Sequence, residues 1–266
     1  MTIARSTPIT SADNPQFKYL KKIASSPRDR REAGKTLLDG IHLLTALADA
    51  GAALELLVLR VGAEQEHEVT QCLLRFPNTP IISLPPKLLA ALSPVETPVG
   101  ILGLMAIPQA QEKHCQFGVL LENIQDPGNL GSVLRSAAAA GVEAVYLSHG
   151  CAEAWSPKAL RAGMGAQFAL AIHEQHDLSV AAQNFDVVVA TTLAGEQSLF
   201  ELNLAGSIAF IFGNEGAGLS DALMKRATHL TKIPMPGKIE SLNVAAAVAI
   251  CLFERVRQTI NRTAFL

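Results

Sequence analysis

Short apolar runs recur along the second half of the chain, near 117–122, 143–148, 186–192 and 207–212, with stretches of helical periodicity between them. This alternation predicts an open, mostly parallel sheet covered by helices, an α/β domain whose loops gather at the carboxyl ends of its strands. The clearest piece is 117–148. There GVLLEN reads as a buried strand, Asp126, Pro127 and Gly128 as a turn, and Asn129 as the N-cap of the next helix. Gly141 is its stop and 142–148 the following strand. Parallel α/β folds place ligand sites at such strand-to-helix loops.

The first hundred residues keep an α/β rhythm. Over 14–24, Phe17, Leu20 and Ala24 recur at helical spacing while Lys18, Lys21 and Lys22 take much of the remaining surface, which describes an amphipathic basic helix stopped by Ser25, Ser26 and Pro27. A second helix is expected over 41–49, up to Gly51, then a strand over 54–60 and a last strand over 99–106. Prolines at 77, 80, 85, 86, 94 and 98 break up the stretch between those strands. AIPQAQEKHCQ is polar and lies between two apolar runs, so it reads as a linker. The expected organisation is a small α/β domain at 1–106, a linker at 107–116 and a second domain at 117–266, with no internal repeat.

Composition narrows the class. At 266 residues and 49% hydrophobic, the chain can bury a real core in each part. Its four cysteines, Cys72, Cys115, Cys151 and Cys251, form no CxxC pair, which argues against a disulfide framework or a zinc site and fits a reducing cytosol. No basic start with an apolar block opens the chain, and the longest apolar run, 244–253, is too short to span a bilayer. A soluble cytoplasmic protein without a membrane partner is expected. The net charge of −2 says little, but its distribution is uneven. Residues 1–40 carry eight basic side chains (Arg5, Lys18, Lys21, Lys22, Arg28, Arg30, Arg31 and Lys35) against four acids (Asp13, Asp29, Glu32 and Asp39). One end is suited to a polyanion, although a solvated helix face explains a cluster of this size equally well.

Two further strand ends carry polar loops. In AFIFGNEGAGLSDALM the apolar run ends at Phe212 and gives way to Gly213, Asn214, Glu215, Gly216, Ala217 and Gly218, with Ser220 as the next N-cap. Three glycines in six residues allow close backbone approach to a ligand. The spacing is not GxGxxG and no GK[ST] follows, so a nicotinamide oxidoreductase and a P-loop are both unsupported. Glu215 is the sharper clue, because a turn needs no carboxylate there. In KIPMPGKIESLNVAAAVAICLFERV a strand ends at Ile233, and Ser241 or Asn243 caps a helix that is apolar over nearly all of 244–253, hence buried in a core or against another subunit. His173 and His176 lack companion ligands, so no metal is expected and both read as surface histidines.

Taken in order, NxxDPxNxGxxxR, FGNEGxGLS and IPMxGxxxSLNVxxAxAI resemble the three motifs of the SpoU family, within the SPOUT superfamily of RNA methyltransferases. The resemblance covers the whole second domain. The first ~105 residues resemble, more loosely, the small substrate-binding domain that many members carry. The resemblance implies an S-adenosylmethionine-dependent RNA ribose 2′-O-methyltransferase, working as a homodimer, with a parallel sheet whose carboxyl-terminal segment is threaded through a deep trefoil knot. It places the cofactor at Gly213, Ile233 and Leu242, with Thr191, Asn214, Pro234 and Met235 as neighbours. It places catalysis at Arg135, Asn129, Glu215, Ser241 and Asn243. RNA would meet the basic residues Lys18, Lys21, Lys22, Arg28, Arg30, Arg31 and Lys35. It would also meet Lys158 and Arg161 in WSPKALRAGMGA, where Ser156 is the N-cap, Pro157 the first helical residue, and Gly163 leaves helix continuity open.

A ribose 2′-hydroxyl is a poor nucleophile near neutral pH, so its proton must be helped away. Guanidinium groups stay protonated in proteins, which makes Arg135 a holder of phosphate and a stabiliser of developing alkoxide rather than a base. Asn129 is expected to shape its loop and orient Arg135, and Glu215 to fix the second loop or bind a cationic partner. Ribosomal RNA is the expected substrate because of the first domain. Transfer RNA is the nearest alternative, and a non-catalytic RNA-binding factor the alternative of a different class.

Overall fold

Two sheets, each with its own covering helices, organise the chain. The computed structural model describes residues 7–95, 98–111, 114–192, 195 and 197–263. Arg5 of the basic cluster and Glu112 and Lys113 of the expected linker lie outside them. The chain divides into two compact units, Met1–Pro108 with Trp155–Phe168, and Gln109–Ala154 with Ala169–Leu266.

The first unit runs β1 (Thr7–Pro8), α1 (Pro15–Ser25), α2 (Pro27–Ala33), β2 (Lys35–Asp39), α3 (Ile41–Asp49), β3 (Leu56–Arg60), α4 (His67–Leu73), β4 (Ile81–Leu84), α5 (Pro86–Ala90) and β5 (Ile101–Ala106). Its sheet has the order β1-β4-β3-β5-β2, parallel at β1, β4 and β3 and antiparallel where β5 meets its neighbours. Phe17, Leu20 and Ile23 of α1 pack on Leu37, Val58, Ile82 and Leu102 of the sheet. Ile23, not Ala24, is thus the third buried position of that helix. The stretch between β3 and β5 holds a short 3₁₀ turn (Ala63–Gln65) as well as α4, β4 and α5, none of which the local pattern predicts. Pro86 sits in the first turn of α5, where its missing N–H removes no helical hydrogen bond.

Ser26 does more than stop α1, because its hydroxyl accepts from Asp29 N and starts α2. That helix turns Arg30 inward. It is only 5% exposed, and its Nη1 donates to Ile23 O at 3.0 Å and Ala24 O at 3.3 Å, satisfying carbonyls at the end of α1. Arg30 is therefore a structural cation and not an RNA contact. Lys18 pairs with Asp13, Arg28 with Glu32 and Lys35 with Glu55, whereas Lys21 and Lys22 stand exposed.

The Trp155–Phe168 segment clusters with this first unit. Thr36 Oγ1 of β2 donates to Trp155 O at 2.7 Å, and both residues are buried. Ser156 caps α7 (Pro157–Gly163), which continues through Gly163 and stops at Met164 in the left-handed region. Lys158 and Arg161 are exposed on α7. Burial pushes the Asp39 carboxyl above its ordinary value, against the opposing pull of the Ser93 hydroxyl that donates to it and of the charge on Arg161.

The second unit comprises β6 (Phe117–Leu121), α6 (Pro127–Ala139), β7 (Ala144–Leu147), β8 (Ala171–His173), α8 (Leu178–Ala181), β9 (Val187–Thr191), β10 (Gln197–Ser198), β11 (Ile208–Phe212), α9 (Asp221–Met224), β12 (His229–Lys232) and α10 (Val244–Thr263). All its strand pairs are parallel, in the order β10-β12-β9-β11-β6-β7-β8. Strands buried on both faces read as unbroken apolar runs, which is why four of them are visible in the sequence. Phe117, Phe210 and Phe212 are fully buried at its centre.

Asp126, not Asn129, is the N-cap of α6. Its carboxylate accepts from Asn129 N at 2.8 Å, and Pro127 supplies the first helical residue. Asp caps as well as Asn, and proline at that position is already shaped for a helix, so the helix begins within the expected turn. This leaves the Asn129 side chain for other partners. His173 and His176 are half-buried rather than on the surface. The His173 ring stacks on Tyr146 at 4.6 Å and the His176 ring meets it edge-on at 5.2 Å. Among the described residues no His, Cys, Asp and Glu group is arranged to hold a metal, and no helix is long and apolar enough to cross a membrane. Helix α10 is buried at Val248, Cys251 and Leu252, yet Phe253 and Ile260 are about half exposed.

Candidate active site

Because β12, β9, β11 and β6 lie side by side and parallel, the loops after them share one edge of the sheet. Three matter: loop 1 (122–126), loop 2 (213–219) and loop 3 (233–243). Loop 2 closes on itself. Asn214 N donates to Gly218 O at 3.1 Å, and Gly218 N returns to Asn214 O at 2.9 Å. Asn214 Oδ1 accepts from Gly216 N and Ala217 N at 2.9 and 3.0 Å. The closure requires glycine at 213, since a Cβ there would lie 2.3 Å from the carbonyl carbon of Gly218.

Loops 2 and 3 with the end of β9 enclose a cavity of about 370 Å³. Gly213, Asn214, Ile233, Met235, Leu242 and Thr191 line it, while Pro234 does not. Glu215 and Ser241 line it as well. Sequence reasoning missed Thr192, Phe212 and Lys232 on its wall. Each directly adjoins a residue that the motifs pointed to, and that adjacency is the one signal that finds them.

Asn129 ties the three loops together. Its Nδ2 donates to Glu215 Oε1 in loop 2, and its Oδ1 accepts from Asn243 Nδ2 in loop 3 at 3.1 Å. Asn243 also caps α10, its Oδ1 accepting from Ala245 N at 2.9 Å. The side-chain partners of Asn129 are thus Glu215 and Asn243, and no bond joins it to Arg135. Glu215 spends one carboxylate oxygen on Asn129. Arg135 lies six residues further along α6, ~9 Å of helical rise from Asn129. It is exposed, stands outside the cavity wall, and has no hydrogen bond or ion pair among the described residues.

Loop 1 is fixed from the β7 side too. Asn123 N donates to Ser148 Oγ at 3.0 Å, and Ile124 N donates to Cys151 Sγ at 3.3 Å. Burial pushes the Cys151 thiol up, so it stays protonated and donates to Leu121 O at 3.1 Å.

Residues 116–253 match the SpoU rRNA Methylase family, and residues 14–103 match the MRM3-like substrate binding domain. The chain belongs to the SpoU rRNA methylase family. It is 32% identical to the 23S rRNA (guanosine(2553)-2′-O)-methyltransferase of Bacillus subtilis, over 92% of this chain and 97% of that one. An uncharacterized tRNA/rRNA methyltransferase of Synechocystis is also 32% identical, over 94% of this chain and 93% of the relative. The crystal structure of the SpoU methyltransferase AviRb from Streptomyces viridochromogenes, in complex with the cofactor AdoMet, superposes with a TM-score of 0.81 at 27% identity. That match covers 93% of this chain and 100% of AviRb.

The SpoU cavity fits such a cofactor on its own terms. Its volume lies in the range of small-molecule sites. Its wall combines apolar side chains, Phe212, Ile233, Leu242 and Val244, with the main chain of a glycine loop and the charged residues Glu215 and Lys232. That mixture suits a ligand with a flat base at one end and charged groups at the other.

Proposed function

We propose that this SpoU protein transfers a methyl group from S-adenosylmethionine to a ribose 2′-hydroxyl of RNA, with ribosomal RNA as its substrate. The observation that carries this reading is the placing of an exposed Arg135, unpaired among the described residues, on the helix whose first turn is bonded, through Asn129, to both loops of the cavity. When bound, the cofactor supplies an electrophilic methyl group on its sulfonium. The chain's own residues then orient the attack. Gly213, Ile233 and Leu242 would hold the cofactor largely through main-chain groups, with Thr191, Asn214 and Met235 around them. Arg135 grips the phosphate beside the target ribose and stabilises charge that develops on O2′, while the proton leaves to a phosphate oxygen or water. Asn129, Glu215, Asn243 and Ser241 keep the loops in register.

The first unit would bring RNA in. Lys21 and Lys22 are exposed and without an ion pair among the described residues, and Lys18, Arg28 and Lys35 can exchange intramolecular pairs, each of small net worth, for phosphate. Arg31, Lys158 and Arg161 extend the contact set. A homodimer belongs to the same reading and would cover the exposed Phe253 and Ile260 of α10. So do the knotted threading of the second unit and work in the cytoplasm, where the four free thiols fit a reducing medium.

Incubating the purified protein with methyl-labelled S-adenosylmethionine and total RNA tests the reaction. Label is expected in ribosomal RNA and, after nuclease digestion, in 2′-O-methylnucleosides. RNA binding without incorporation at saturating cofactor would make this a binding factor, and label on a base would make the acceptor wrong.

A further inference from the structure

Asn214 uses both ends of its amide. While Oδ1 gathers Gly216 N and Ala217 N on the cavity wall, Nδ2 points the other way and donates to Asn123 O in loop 1 at 2.9 Å. Asn123 is an unusual recipient. Its φ of 55° puts it in the left-handed region, which non-glycine residues rarely occupy. Its side chain is also held, with Ser148 Oγ donating to Asn123 Oδ1 at 3.3 Å. Gly150 makes room for it, because a Cβ there would lie 2.0 Å from Asn123 Oδ1. Asn123 is thus clamped from β7 by Ser148 and from loop 2 by Asn214, and of these two residues only Asn214 lines the cavity.

We propose that Asn214 is a positioning residue that couples occupancy of the cavity to the shape of loop 1, so that cofactor and RNA bind with positive cooperativity. The proposal rests on the methyl-transfer reading above for the identity of the two ligands. A ligand that orders loop 2 orders the Oδ1 side of Asn214, which holds its Nδ2 on Asn123. Asn123 leads, through Ile124 and Asp126, into the first turn of α6, the helix that carries Arg135. The bond between Asn129 and Glu215 is a second, parallel tie, from loop 2 to the first turn of α6 itself. By thermodynamic reciprocity, RNA that settles on loop 1 must tighten the cofactor by the same factor.

Asn214→Asp separates the two ends. It keeps an oxygen for Gly216 N and Ala217 N but sets a second oxygen against the Asn123 carbonyl. With S-adenosylhomocysteine as the probe of the cavity and a 23S ribosomal RNA transcript as the probe of the RNA site, wild-type protein should bind RNA about 5-fold or more tightly when the cavity is filled. In Asn214→Asp that enhancement should shrink to what the remaining Asn129–Glu215 tie carries and kcat should fall about 10-fold or more, with the affinity for S-adenosylhomocysteine alone held within about 3-fold of wild type. The ratio of variant to wild-type kcat should rise as the pH falls below about 5 toward the ordinary carboxylate range near about 4, because a protonated carboxyl donates again. Ser148→Ala, which loosens Asn123 from outside the cavity, should also lower kcat without weakening S-adenosylhomocysteine, and it keeps the test open if the first variant does not fold. Weakened S-adenosylhomocysteine binding with unchanged kcat would make Asn214 a plain cofactor contact and overturn the proposal. So would undiminished cooperativity in Asn214→Asp, or wild-type kcat in Ser148→Ala. The cooperativity is read by binding alone, so a wild-type protein that showed it yet transferred no methyl group would refute the reaction and leave the coupling standing.

Discussion

Replacing Arg135 with lysine is expected to lower turnover at saturating RNA by about a hundredfold while cofactor affinity stays at the wild-type value. The charge survives the change, but the planar fork that would grip two phosphate oxygens at once does not. Arg135 is exposed and unpaired among the described residues, and it lies outside the cavity wall, so the substitution disturbs neither packing nor the cofactor's surroundings. The loss should therefore fall on kcat, measured by single-turnover methyl transfer, with S-adenosylhomocysteine binding by calorimetry as the control. Nearly full turnover in Arg135→Lys would show that a point charge is enough and would end the bidentate role.

Gly213→Ala is expected to act on the opposite half of the site, weakening S-adenosylhomocysteine binding by about a hundredfold with little change in melting temperature. The added methyl would lie 2.3 Å from the carbonyl carbon and oxygen of Gly218 and 2.6 Å from Leu219 N. These are backbone atoms and cannot swing aside like a flexible side chain. The paired bonds between Asn214 and Gly218 must open, and the cavity wall opens with them. Below the loop, Ile211 and Phe212 stay buried in the sheet, so the core is spared. Titration calorimetry reads the affinity and a thermal melt reads the fold. Unaltered affinity would mean that loop 2 does not shape the cofactor's site.

How far these features were legible in the sequence depended on the range of the interactions behind them. The strands β6, β7, β9 and β11 stood out because burial on both faces leaves an unbroken apolar signature. The cap of α6 was misplaced by three residues, since Asp126 and Asn129 are equally good caps on local grounds and only the finished helix chooses between them. Burial of Arg30, stacking of His173 on Tyr146, and the clustering of Trp155–Phe168 with the first unit all depend on distant partners, about which a local pattern is silent. The same holds inside the site. Motif spacing singled out Asn129, Glu215 and Asn243 one by one. The bonds that join them cross 86 and 114 residues of chain, and the bond from Asn214 to Asn123 crosses 91.

The central claim is that this SpoU protein methylates a ribose of ribosomal RNA, and its most direct test is mass-spectrometric mapping of ribose methylation in RNA from cells that lack the protein. The account predicts one 2′-O-methyl mark in ribosomal RNA that disappears with the protein, returns with the wild-type chain, and does not return with Arg135→Lys. A ribosomal methylation map that is the same with and without the protein, or a mark lost from transfer RNA instead, would contradict it.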